Sequence, residues 1–320
     1  MPTVDHLVTI GRAFRARASL VAVSPSSQPS IAALAAGDRP TFSFEFFPPK
    51  DAAGLDQLVT TAAQLEPLRP DFVSVTYGAS GTSRERTIAA TRALATRTEL
   101  PIIGHLTCTG QTVPQLRAAL DDYAAAGVRT ILAVRGDAPG GPSAPWAPVP
   151  GGLANATELV ALIAEYGGFE IGVGAFPDGH PTGGIELDAK LLADKQAAGA
   201  SFAITQLFFS VDRYTNLVRR SNDAGATMPI IAGLMPITRY SQVSRFAELS
   251  GAPMPPAMVE RLSNLSSDPI AVRDEGAQIG LELAEALLNA GAPGLHFFTQ
   301  NRSGVTREIL ATVLAHRSQR

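Results

Sequence analysis

Short apolar runs rich in β-branched and aromatic residues recur along the chain, each bounded by turn-forming residues. They are Thr41–Phe47, Phe72–Tyr77, Pro101–Thr107, Thr130–Arg135, Glu170–Phe176, Phe202–Phe209, Pro229–Met235 and Gly294–Thr299. Between them the apolar positions take a helical period over Ala53–Leu68, Ser83–Thr98, Val113–Ala126, Ala156–Tyr166, Leu187–Ala198 and Val211–Ala224, with Thr306–His316 after the last run. Gly127, Gly167, Gly199 and Gly225 stand near the ends of four of these helices, where a left-handed cap suits glycine. The interval between the seventh and eighth runs is long and predicts three helices, Arg239–Leu249, Pro256–Asn264 and Ile270–Asn289.

Eight strands alternating with helices predict parallel strands joined by crossover helices, and their number predicts a closed (β/α)8 barrel, a TIM barrel. The rival is an open doubly wound sheet. That fold would carry a Gly-rich dinucleotide fingerprint after an early strand, and none follows the first run. Residues 1–39 lie outside the alternation and predict an N-terminal extension, helical or partly disordered. In it Ser24-Pro-Ser-Ser-Gln-Pro-Ser30 reads as a linker between two short helices. Residues 40–320 form one catalytic barrel domain on this reading.

Composition narrows the possibilities. A chain of 320 residues with 45% hydrophobic and 17% charged residues can bury a substantial core. A net charge of -3 gives no electrostatic case for nucleic acid or an anionic membrane surface. Cys108 is the single cysteine, so no internal disulfide forms, and the five histidines lack metal-ligand spacing. No apolar run approaches the roughly 18 residues of a membrane span. The default expectation is a cytoplasmic protein. An arginine-containing targeting segment over residues 1–18 is the rival, opposed by Asp5.

A barrel of this kind places its chemistry at the C-terminal ends of its strands. The polar residues there are Glu45, Thr76 and Tyr77, His105 with Thr107, Arg135 to Asp137, Phe176 to His180, Gln206, Pro236 with Thr238, and Thr299 to Arg302. Eight apolar strands that each bring polar groups to one rim favour an enzyme over a scaffold. Glu45 stands out, set among Phe42, Phe44, Phe46 and Phe47 and followed by two prolines. An unpaired carboxylate in a buried strand is costly, so such a group finds a partner or keeps its proton through desolvation. A carboxyl still protonated near neutral pH is a ready general acid. The alternatives are a satisfied structural Glu and an edge strand with Glu45 facing water.

Six segments together resemble the methylenetetrahydrofolate reductase family, of the bacterial, catalytic-domain-only type. They are Phe44-Glu-Phe-Phe-Pro-Pro49, Phe72-Val-Ser-Val-Thr-Tyr-Gly-Ala79, His105-Leu-Thr-Cys108, Leu132-Ala-Val-Arg-Gly-Asp137, Ala203-Ile-Thr-Gln-Leu-Phe-Phe209 and Leu295-His-Phe-Phe-Thr-Gln-Asn-Arg302. The resemblance implies a barrel carrying FAD, which NAD(P)H reduces and which in turn reduces 5,10-methylenetetrahydrofolate to 5-methyltetrahydrofolate, supplying methyl groups for methionine synthesis. The expected partners are thus the folate and a nicotinamide dinucleotide, NADH being the expected reductant, with a homo-oligomer in keeping with the family.

By the same resemblance Glu45 and Asp137 are catalytic, Glu45 as the general acid toward folate N10 and Asp137 beside flavin and pterin. Asp137, Gln206, Gln242, Phe246 and Arg302 match substrate positions. Thr76, Tyr77, Ala79, His105, Arg135, Gly136, Asp137, Asn155, Ala156, Phe176, His180, Asp188 and Lys195 match flavin positions. Each has a plainer alternative: Asp137 as a loop cap, Gln206 bonded to backbone, Arg302 in a surface ion pair, Phe246 as core. Phe176 replaces a tyrosine, Leu191 stands where the enterobacterial pattern has Asn, and Asp194 where it has Arg. An aspartate near a pyrophosphate repels it. Three readings follow: an FAD-dependent folate reductase, direct hydride transfer from NADH to folate without flavin, and a catalytically silent folate-binding barrel. A different enzyme on the same barrel is a further class, but an aldolase would want a Schiff-base lysine on a strand and the predicted strands hold none.

Overall fold

A computed structural model describes residues 29–77, 84–138, 145–180 and 183–319. Its strands are β1 (Thr41–Phe46), β2 (Phe72–Val75), β3 (Ile102–Thr107), β4 (Thr130–Val134), β5 (Glu170–Ala175), β6 (Phe202–Thr205), β7 (Ile230–Leu234) and β8 (Gly294–Phe298). All neighbours pair in parallel, and β8 returns to β1 to close the barrel. The open-sheet rival is therefore excluded. Several strands are shorter than their apolar runs. β2 stops before Thr76, and β6 before Gln206, because there the chain leaves the ladder to build the rim.

Helices cover the outside: α1 (Ile31–Ala35), α2 (Ala52–Leu65), α3 (Arg84–Ala95), α4 (Val113–Ala125), α5 (Ala156–Tyr166), α6 (Gly184–Ala197) and α7 (Val211–Asp223). The β7 to β8 connection contains α8 (Tyr240–Ser250), α9 (Pro256–Asn264) and α10 (Pro269–Asn289), as the sequence predicts, and α11 (Gly304–Ser318) follows β8. The predicted helix Ala53–Leu68 divides into α2 and a 3-10 turn, Glu66–Leu68, because Pro67 cannot continue an α-helical hydrogen-bond ladder.

The strands alternate between two cores. Outward residues such as Phe44, Phe46, Val73, Val75 and Phe297 pack against the helices. Inward residues Phe72, Ile103, Leu132, Phe202, Ile204 and Ile231 fill the base of the barrel together with Ile31 and Ala35 of α1. This first helix covers the N-terminal end of the barrel, so residues 29–39 pack with the domain that the sequence starts at residue 40. Its amides at Ile31 and Ala32 donate to the Glu170 carboxylate at the start of β5, at 2.8 and 2.9 Å. A carboxylate suits that position because the first amides of a helix lack internal partners. The first predicted helix and the linker up to residue 28 lie outside the described residues, while the linker's last residue, Ser30, is the N-cap of α1.

Ile31 is fully buried. Ile31→Ala leaves a cavity under the barrel and is expected to cost about 3 kcal/mol of stability, read as a lower urea midpoint with unchanged slope. An unchanged midpoint would show that α1 does not seal the base.

Candidate active site at the C-terminal rim

Glu45 is 8% exposed and stands inside a barrel that has no edge, which removes the edge-strand alternative. Register sets its neighbours: β1 pairs Glu45 with Ser74 of β2 and with Phe298 of β8. Its Oε2 lies 3.6 Å from His105 Nε2 and 3.6 Å from His296 Nε2. His105 Nε2 has no hydrogen-bond partner. Burial pushes the His105 imidazole down to about 4, the Glu45 carboxylate partly opposing and His296 adding to the shift, so at neutral pH His105 carries no charge. Gly104 allows this arrangement. A Cβ there would stand 2.3 Å from the Tyr123 ring, whose hydroxyl donates to the His105 carbonyl at 2.6 Å.

The backbone of Glu45 is clamped from β8. The hydroxyl of Thr299 donates to the Glu45 carbonyl at 2.6 Å. Asn301 closes a reciprocal pair with the Phe47 backbone, its Oδ1 accepting from the amide and its Nδ2 donating to the carbonyl, both at 2.9 Å. Gln300 and Asn301 hold φ of 53° and 56°, a left-handed pair that few non-glycine residues adopt. The clamp offsets that strain and ties the loops on either side of the carboxyl together.

Other rim residues fall into groups. Thr76 follows β2, its carbonyl accepting from the Thr87 hydroxyl. Tyr77 is buried, bonds Gln111 through its hydroxyl at 3.3 Å, and is pushed up to about 12 by burial. After β4, Arg135 lies over the Trp146 ring at 5.1 Å and Gly136 has φ of 84°, and the half-buried Asp137 follows. Asn155 is the N-cap of α5, accepting from Glu158 N at 3.0 Å, with Ala156 as its first residue. Phe176 meets His180 edge-to-face at 5.4 Å. The position Ala79 lies outside the described residues.

The positions matched to a dinucleotide test whether this donor set suits one. Asp188 is fully buried on α6. One carboxylate oxygen accepts from Phe176 N at 2.9 Å and the other has no partner. Burial raises Asp188 to about 6 against the Phe176 amide and Lys195. An orphaned buried acceptor fits a hydroxyl donor such as a ribose. Lys195 is buried beside it, with Nζ donating to the Gly174 carbonyl at 3.1 Å. Asp194 is exposed, so its charge is screened by water and stands apart from the buried pair. The donor set fits a dinucleotide, with Leu191 adding nothing to a phosphate clamp.

The substrate-matched residues are less gathered. Gln206 is exposed after β6 and its Oε1 accepts from Leu207 N at 2.7 Å. Gln242 accepts from the Thr238 hydroxyl at 3.1 Å and donates to Gln300. Phe246 packs half-buried against the cluster of Leu207, Met235, Ile237 and Val243. Arg302 is exposed near the end of the β8 to α11 connection, two residues before the helix. An apolar cavity of about 180 Å³ lies on the far side of β1, lined by Phe44, Phe46, Val59 and Leu94, and contains none of the rim groups.

His296 is the residue the sequence reading passed over as chemistry. It is fully buried, with Nδ1 2.7 Å from Ser43 Oγ and Nε2 3.2 Å from Ser74 Oγ. The signal was present: His296 sits two residues before Phe298 in β8, on the face that alternation turns inward. Gln111 and Trp146, which support Tyr77 and Arg135, carry no comparable signal because both lie in loops.

The family model described as methylenetetrahydrofolate reductase matches residues 30–313. The 5,10-methylenetetrahydrofolate reductases of Pectobacterium carotovorum and Escherichia coli are each 35% identical to this chain, over 85% of it and 89% and 90% of their own lengths. The methylenetetrahydrofolate reductase (NADH) 1 of Zea mays is 34% identical over 83% of this chain and 47% of its own length. Among solved structures, an uncharacterized Clostridium thermocellum protein that binds two copies of 5-methyl-5,6,7,8-tetrahydrofolic acid superposes with a TM-score of 0.62 at 14% identity. It covers 90% of this chain and 98% of its own, a likeness of fold. Rim motifs, barrel and relatives agree, and the chain belongs to the methylenetetrahydrofolate reductase family.

Proposed function

We propose that this protein reduces 5,10-methylenetetrahydrofolate to 5-methyltetrahydrofolate with electrons from a reduced nicotinamide dinucleotide. The observation that carries the reading is the Glu45 carboxyl, buried inside the barrel and flanked by two imidazoles at 3.6 Å. The chemistry needs an acid because the ring nitrogen N10 is a poor leaving group until protonated. Glu45 gives its proton to N10, the bond from N10 to the methylene carbon breaks, and the carbon stays on N5 as an iminium cation. Hydride addition to that carbon completes the methyl group, while the reductant loses two electrons.

Asp137 stabilises the cation electrostatically and accepts from the pterin. Gln206 offers an amide that both donates and accepts, suited to the pterin edge. Arg302 suits the negative charge of the folate, Gln242, held between Thr238 and Gln300, offers an amide to the substrate, and Phe246 offers a ring face for stacking.

FAD is the proposed hydride carrier, and when bound it supplies a flavin that takes hydride from NADH and passes it to the substrate. Asp188 would accept from a ribose hydroxyl through its orphaned oxygen, and Lys195 would complement the phosphates. Thr76, Tyr77, His105, Arg135 and Gly136 would hold FAD from the ends of β2, β3 and β4, and Asn155, Ala156, Phe176 and His180 from the loops that follow. NADH is the proposed reductant, in keeping with the maize relative.

Two measurements test this. Glu45→Gln is expected to lower folate turnover by roughly 10²- to 10⁴-fold while NADH oxidation with a dye acceptor persists. Undiminished folate turnover in that variant refutes the general acid. The purified protein is expected to show flavin absorbance bands, and Asp188→Ala to weaken FAD binding about tenfold. Full activity without flavin bands, unchanged by added FAD, would replace FAD with direct hydride transfer from NADH.

A further inference from the structure

The large hydrophobic side chains that stand exposed among the described residues are Phe47, Leu249 and Ile270. Leu249 and Ile270 belong to helices α8 and α10, whereas Phe47, 38% exposed, follows the end of β1 at the rim. Backbone hydrogen bonds give its direction. The Glu45 carbonyl accepts from Thr299 N, toward β8, and the Phe46 carbonyl accepts from Thr76 N, toward β2. At Phe47 the amide and the carbonyl both turn back toward the β8 side, to the Asn301 side chain. In an extended chain, residues whose backbone groups face the same neighbour share a face. The alternation that turns Ser43 and Glu45 inward therefore runs on through Phe47, although the ladder ends at Phe46. This places Phe47 about 6.6 Å beyond Glu45 along the strand direction, at the mouth of the barrel.

The frame round this ring is fixed. Asn301 donates its amide to the Thr299 hydroxyl and accepts from the Thr61 hydroxyl at its carbonyl, both at 3.2 Å. Its sequence neighbours lead to the substrate-matched group, since Gln300 accepts from Gln242 and Arg302 is exposed. The order of these groups follows the order of atoms in the substrate. Glu45 acts at N10, N10 is bonded to the aminobenzoyl ring, and that ring carries the glutamate whose charge suits Arg302. Phe47 stands between the two, joined to Glu45 by two peptide bonds and to Arg302 through Asn301. We propose that Phe47 is the platform on which the aminobenzoyl ring of the folate packs, held in place by the Asn301 clamp. The proposal rests on the folate reading of the site. Paired rings attract beyond the area they bury, and a platform already fixed loses little freedom when the ligand arrives.

The test uses the protein as purified, with 5-methyltetrahydrofolate as the binding probe. Phe47→Ala is expected to raise its Kd, and KM for methylenetetrahydrofolate, about tenfold, with kcat within about threefold. Phe47→Leu keeps apolar area without a ring and is expected to recover only part of the loss, while Phe47→Tyr restores Kd to within about twofold. In Phe47→Trp the ligand is expected to quench indole emission by more than the change Trp146 gives in the unsubstituted chain. Asn301→Gly keeps the left-handed backbone and removes the clamp, with KM expected about threefold higher; an unchanged KM overturns the clamp. A Kd that stays within twofold in Phe47→Ala, full recovery in Phe47→Leu, or an indole at position 47 that the ligand leaves unquenched overturns the platform. So does a kcat lowered equally in the Ala, Leu and Tyr variants, which marks a displaced acid. Failure of the folate reading is separate: the unsubstituted chain then does not bind 5-methyltetrahydrofolate at all.

Discussion

The parallel pairing of β1 with both β2 and β8 is the constraint on which the site depends. It closes the barrel, turns every second residue inward, and thereby sets Ser43 opposite His296 and Glu45 opposite Ser74. A one-residue slip of β1 would exchange Glu45 for Phe44 or Phe46 and bury the carboxyl among the helices. Three of the four phenylalanines round Glu45 oppose such a slip, Phe47 being exposed. Phe42, Phe44 and Phe46 face the outer core, where they stabilise the register that turns Glu45 inward.

The two ends of the barrel solve different problems. At the base, α1 seals an apolar layer and its free amides are neutralised by Glu170. At the rim, polar groups are left buried and unpartnered: His105 Nε2, Thr107 Oγ1 and one oxygen of Asp188. Such atoms cost stability unless a ligand satisfies them. Their gathering at the C-terminal ends of β3 and β5, where the barrel places chemistry, fits a site built for a bound molecule.

The alternation of runs made the barrel legible, because period-2 and period-3.6 patterns report which faces are buried. Glu45, His105, Asp137 and Gln206 were legible as polar groups at strand ends, and their suggested roles came from the family resemblance. Other features were not legible. The β2 and β6 ends fall short because apolar rim residues such as Tyr77 and Leu207 extend the pattern beyond the ladder. The sealing role of α1 was hidden because five residues give little periodicity. For His296 the alternation tells only that it turns inward, and its partner Ser43 lies 253 residues away in sequence. The concern raised by Asp194 came from sequence adjacency alone, while the structure turns Asp194 to solvent and Lys195 inward.

Opening the folate ring turns on a single proton. Infrared difference spectroscopy of the folded protein at neutral pH, Glu45→Gln subtracted from the unsubstituted chain, reads it directly. A carbonyl stretch of a protonated carboxyl that disappears with Glu45 is the expected result. A carboxylate band alone in that difference, with substrate bound or free, would contradict Glu45 as the acid that opens the folate ring.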